Sequence, residues 1–150
     1  MTTLYDDLIL DHIRNARNYR VPERVSREIT GSNALCGDEL VLYLDMGGGR
    51  IVDIGFQCSS CGLSMASASV MTEIVKSRST EEAALLIREF TGKLAGAYPS
   101  GPAVRGTAQQ ALLDAARRFP ARTQCIALPW TTLMTALSGT GQTTEEGARP

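Results

Sequence analysis

The sequence predicts an α+β domain: a small three-stranded antiparallel sheet covered on one face by helices. Three observations predict it. Short apolar runs cluster between residues 24 and 58, a glycine-rich turn joins two of them, and helical periodicity dominates after residue 62.

Leu4, Leu8, Ile9 and His12–Ile13 recur at steps of three to four residues, so an N-terminal helix is expected, ending near "NARNYRVP". Three strand-like runs follow: "RVSREIT" (24–30), "ELVLYLD" (39–45) and "RIVDIGFQC" (50–58). "MGGG" at 46–49 should turn the second run into the third as a hairpin. In the third run strict alternation puts Val52, Ile54, Phe56 and Cys58 on one face. A helix should run from Gly62 to about Lys76. "TEEAALLIREF" (80–90) starts another, with Thr80 as its cap and glutamates in its first turn. "TGKLAGAYPSGPAVRG" (91–106) reads as an irregular excursion, "TAQQALLDAARRF" (107–119) as a helix, and "LPWTTLMTALSG" (128–139) as the last helix. Residues 1–137 thus form one domain, and 138–150 a polar tail with the composition of a disordered segment.

A chain of 150 residues is long enough for one real core. Fifteen basic against sixteen acidic residues leave a net charge of −1, which recommends neither nucleic acid nor an anionic membrane as partner. No window approaches the roughly 18 apolar residues of a membrane span, and "MTTLYDDLILDHIRN" has aspartates where a signal peptide would want lysines, with no apolar h-region, so a signal peptide is not expected. The expected location is the cytoplasm, where thiols stay reduced. Four cysteines there suggest metal or thiol chemistry before a disulfide framework.

Cys36 lies in "NALCGDEL", where Gly37 permits a tight turn that lets Cys36 and Asp38 point to one place. Cys61 stands at a strand-to-helix junction, where the positive helix end stabilises a thiolate. Cys125, in "FPARTQCIALPW", similarly precedes a helix. Three thiolates and one carboxylate would suit zinc or an iron–sulfur centre, and the harder carboxylate would make the site easier to open. Spacing alone leaves open that these are buried packing thiols. Cys58, on the Ile54–Phe56 face, reads as packing. The order of elements disfavours a thioredoxin-like CxxC, His12 reads as structural, and Met65, Met71 and Met134 as core.

These segments resemble the IscU/NifU N-terminal family of iron–sulfur cluster assembly proteins from Leu4 to about Leu137. "LYDDLILDHIRNARN" is similar to the family's first helix, and "NALCGDEL" to its Asn-Pro-x-Cys-Gly-Asp segment. "FQCSSCGLSMASASVM" is similar to its second cysteine segment, with the Ser-x-Ala-Ser-Ala-Ser run intact at 64–69, and "FPARTQCIALPW" to the third. Cys61 and Cys125 are 64 positions apart with "AYPSGPAVRG" between them, which resembles the SufU branch.

The resemblance implies Cys36, Asp38, Cys61 and Cys125 as ligands, with Cys36 and Cys125 as candidate sulfur acceptors. It implies Zn2+ and a pyridoxal-phosphate cysteine desulfurase (SufS-like) as sulfur donor, with a downstream scaffold or apoproteins as recipients. Any enzymatic role would be at most that of a sulfurtransferase acting with the desulfurase. The IscU-like alternative is a scaffold for a transient [2Fe–2S] cluster on the same residues, and a structural zinc module is a third. The Leu-Pro-Pro-Val-Lys stretch read by a dedicated Hsp70 is absent, so that chaperone is not expected. Ala34, Cys58, Ser60 and Gln124 depart from the family's usual residues, and none is a proposed ligand.

Overall fold

A two-residue turn organises the sheet. In the computed structural model, which describes residues 7–33, 37–59, 62–96 and 107–140, strands β1 (Arg27–Asn33), β2 (Asp38–Gly47) and β3 (Arg50–Ser59) form an antiparallel sheet in the order β1-β2-β3. Gly47 pairs with Arg50, and Gly48 and Gly49 between them both have positive φ, 61° and 75°. Two successive positive φ values match the right-handed twist of a hairpin, which is why glycines stand there.

The third strand departs from strict alternation. Asp45 pairs with Asp53 but Met46 with Ile51, so Val52 is the extra residue of a β-bulge. The bulge reverses the phase: Ile51 is buried and Val52 is 51% exposed, while Ile54 and Phe56 stay inside. Val52 therefore does not share the face expected from the sequence. Beyond the bulge the expected pattern holds. Leu44, Leu42 and Leu40 stand opposite Ile54, Phe56 and Cys58, all against the core.

Helices α1 (Asp7–Arg14), α2 (Gly62–Val75), α3 (Thr80–Leu94), α4 (Ala108–Arg118) and α5 (Thr123–Thr135) complete the fold, with a 3-10 turn at Pro120–Arg122 and a π turn at Ala136–Thr140. The cap of α3 is Ser79, not Thr80. Its hydroxyl accepts from the Glu82 N–H while Glu82 reaches back to the Ser79 N–H, and that reciprocal pair decides between two adjacent cap-forming residues. Helix α3 also continues to Leu94, into the stretch expected to be irregular; residues 97–106 lie outside the described ones. Among the described residues no helix is long and apolar enough to cross a membrane.

Helix α2 is built from small residues because it is buried on nearly every side, and its serines tie it to its neighbours. Ser69 Oγ accepts the Arg17 N–H at 2.8 Å and shares a 2.7 Å hydrogen bond with His12 Nδ1. His12 is 5% exposed, and burial pushes its imidazole below the ordinary value, so it is a neutral structural link between α1 and α2.

Candidate metal centre

Two contacts fix the direction of α5 on the sheet. Arg27, at the start of β1, donates to the Ala136 carbonyl at 2.7 Å. Further along β1, Gly31 lies so close to Thr132 that an added Cβ would meet its hydroxyl at 2.0 Å. As β1 advances, α5 therefore runs backwards. Cys125 is seven residues before Thr132, about 10 Å along the helix at roughly 1.5 Å per residue. Its turn points toward the end of the sheet where β1 gives way to β2.

That end is defined by the strand register. Asn33 pairs with Asp38, and Gly37, at φ 71°, donates its N–H to the Asn33 carbonyl at 2.9 Å. Asp38 begins β2 and is 3% exposed, on the same face as Leu40. Glu39 pairs with Ser59, so β3 ends here as well, and α2 begins at Gly62, one residue after Cys61 in sequence.

The α2–α5 contact closes the arrangement. Cys125 lies inside the first turn of α5, not before a helix, and Pro129 lies within the same helix. Proline has no N–H, so it cannot bond the carbonyl four residues back, that of Cys125. The Ser64 hydroxyl donates to that carbonyl instead, at 3.0 Å. Ser67 donates to the next carbonyl, of Ile126, at 2.6 Å and accepts from Trp130 Nε1 at 2.8 Å. The start of α2, three residues after Cys61, is thereby joined to the backbone of Cys125. Ser67→Ala should leave the buried Trp130 Nε1–H without its partner, take a second donor from the Ile126 carbonyl, and lower stability by about 1–3 kcal/mol. Thermal unfolding followed by circular dichroism checks it; an unchanged Tm would contradict this reading of the serines.

Of the four sequence-predicted ligands, Asp38 and Cys125 are described and both are buried. Cys36 and Cys61 lie outside the described residues, and among the described residues no three metal-ligating side chains come together. The sequence reading missed Ser64 and Ser67 as supports of the Cys125 turn. Their signal was present as the serine run of α2 together with Pro129.

A three-stranded sheet with helices on one face, gathering a hairpin turn, a strand-to-helix junction and a helix start at one end, is the architecture of the iron–sulfur cluster assembly domains. The chain belongs to the NifU-like N-terminal domain family, which matches residues 4–126. Among its relatives is the zinc-dependent sulfurtransferase SufU of Bacillus subtilis, 32% identical over 89% of this chain and 88% of that protein. The IscU cluster assembly scaffold protein of Thermotoga maritima is 34% identical over 89% and 92%. A SufU crystal structure from Fervidobacterium islandicum AW-1 superposes with a TM-score of 0.80 at 30% identity, covering 90% of this chain and 97% of that one. Family and fold agree with the resemblance read from the cysteine segments.

Proposed function

We propose that the protein accepts persulfide sulfur from a cysteine desulfurase for iron–sulfur cluster assembly, holding Zn2+ on Cys36, Asp38, Cys61 and Cys125. The observation that carries this reading is the antiparallel course of α5 on β1. It aims the Cys125 turn at the end of the sheet where Asp38 starts β2. Likeness to SufU over nearly the whole chain supports zinc as the metal.

The donor set fits the ion. Three sulfurs and one oxygen make a tetrahedral zinc set, and a carboxylate as buried as Asp38 needs charge compensation. When bound, the ion supplies positive charge that keeps the thiolates deprotonated near neutral pH. The chain's own contribution is local. The first turn of α5 places its backbone N–H groups and positive dipole end at Cys125, which favours the thiolate there. In transfer, an acceptor thiolate, Cys36 or Cys125, attacks the outer sulfur of the desulfurase persulfide. A new S–S bond forms on the carrier, the old one breaks, and the desulfurase cysteine leaves as a thiolate. No oxidant or reductant is consumed. The exchange requires reduced thiols, in keeping with a cytoplasmic protein.

The second reading is that the same residues build a [2Fe–2S] cluster as cargo for apoproteins. The IscU relative, matched over as much of the chain, favours it. Incubation with a cysteine desulfurase and 35S-labelled cysteine separates the two. The expected result is zinc-loaded protein that speeds alanine release and carries label removable by dithiothreitol, lost in Cys36→Ser or Cys125→Ser. Absence of both label and stimulation would overturn the acceptor reading.

A further inference from the structure

Basic side chains gather where α3, α4 and α5 meet. The stretch from Ala115 to Thr140 carries Arg117, Arg118 and Arg122 and no Asp or Glu, although the whole chain has sixteen acidic residues against fifteen basic. Arg117 and Arg118 lie in the last turn of α4, Lys93 in the last turn of α3, and Arg122 just before α5. Of Lys93, Arg117 and Arg118, only Arg117 has a carboxylate partner among the described residues, Asp114 at 3.0 Å, and that pair is exposed to solvent.

Lys93 and Arg117 border a cavity of about 240 Å³. Leu94, Leu113, Ala116 and Pro120 give it apolar walls, and Leu113 and Ala116 belong to the core. Its volume lies below the roughly 300–1,000 Å³ of pockets that enclose a whole small-molecule ligand. An apolar side chain suits such walls, and a negative charge beside it suits the two cations. Thr123 also lines the cavity and opens α5, two residues before Cys125, or about 3 Å along the helix.

We propose that this cavity docks an acidic segment of the cysteine desulfurase, with one apolar side chain entering it and neighbouring carboxylates meeting Lys93 and Arg117. The proposal rests on the reading that the protein takes sulfur from a desulfurase. Opposite charge steers the two proteins together and fixes their register, while the filled cavity slows their parting. A short acidic segment fits better than a long polyanion, because the chain's net charge of −1 repels one beyond the patch. A donor held here lies within one helical turn of a candidate sulfur acceptor, which is what transfer from protein to protein requires.

The test uses the zinc-loaded full chain and measures alanine release by a cysteine desulfurase over a range of carrier concentrations. Lys93→Glu with Arg117→Glu should raise the carrier concentration for half-maximal stimulation by about tenfold or more, with the maximal rate kept. Added salt should raise that concentration in the native protein and change it far less in the double variant. Ala116→Met fills the cavity without changing charge and should raise it as well. Arg24→Glu, ahead of β1 and so at the end of the sheet away from Cys125, should not. An unchanged half-maximal concentration in the double variant or in Ala116→Met would overturn the proposal, and so would an equal rise in Arg24→Glu. Should circular dichroism show Ala116→Met unfolded, Ala116→Val takes its place. Native protein that fails to speed alanine release would instead sink the acceptor reading itself.

Discussion

Asp38→Ala should slow metal exchange by about tenfold or more, a span in line with what altered ligand surroundings do elsewhere. Three thiolates and a carboxylate around a divalent ion leave a net charge of −2. The Asp38 carboxylate is buried, so little solvent screens that excess. Removing it lowers the excess to −1 while keeping the three softer ligands, which hold a soft or borderline metal more firmly than oxygen does. Release to a chelator such as EDTA, followed over time in native and variant protein, reads the effect directly. A variant purified without metal would show the carboxylate to be necessary for binding, and the argument that it eases release would fail.

Gly31→Ala should damage both the fold and the site. The added Cβ would lie 2.0 Å from the Thr132 hydroxyl and 3.1 Å from its Cβ. Thr132 is a buried β-branched residue whose hydroxyl already donates to the Leu128 carbonyl at 2.7 Å, so it has no easy rotamer to retreat to. The relief left is to push α5 away from β1, at about 2–3 kcal/mol, or a Tm lower by roughly 5–10 °C. Because α5 carries Cys125, metal retention should fall together with stability. Adding Thr132→Ala removes the closest atom and should recover part of both. A Gly31→Ala protein with native Tm and native metal content would mean that α5 does not rest on β1 as described.

The contrast between these residues explains what could be read in the sequence. The sheet was legible because its signals are local. "MGGG" can only be a turn, and Leu40, Leu42 and Leu44 alternate through β2. The bulge at Val52 was not, because Ile51 and Val52 are both β-branched and either fits an inward position. Only the pairing of β3 with β2, and the Ile51 backbone bonds to Arg78 and Ser77, choose between them. The start of α5 was misplaced for a physical reason as well. Proline is favoured at the first turn of a helix, so "LPW" reads as an opening. It is tolerated inside α5 because Ser64, some sixty residues earlier in the chain, donates to the Cys125 carbonyl that the proline leaves without a helical partner. Spacing alone could propose the ligand set but not separate it from buried thiols, and the cysteine segments' resemblance to a family made that choice. The structure adds the burial of Asp38 and Cys125 and the course of α5.

The most direct test of the account is the zinc, iron and acid-labile sulfide content of protein purified strictly without oxygen, with its visible spectrum. A zinc-holding sulfur acceptor should contain close to one zinc per chain, no sulfide and no colour, and should lose the zinc in Cys61→Ser. Iron and sulfide in equal amounts, with visible absorbance lost in the same variant, would contradict the acceptor reading and make the protein a cluster scaffold.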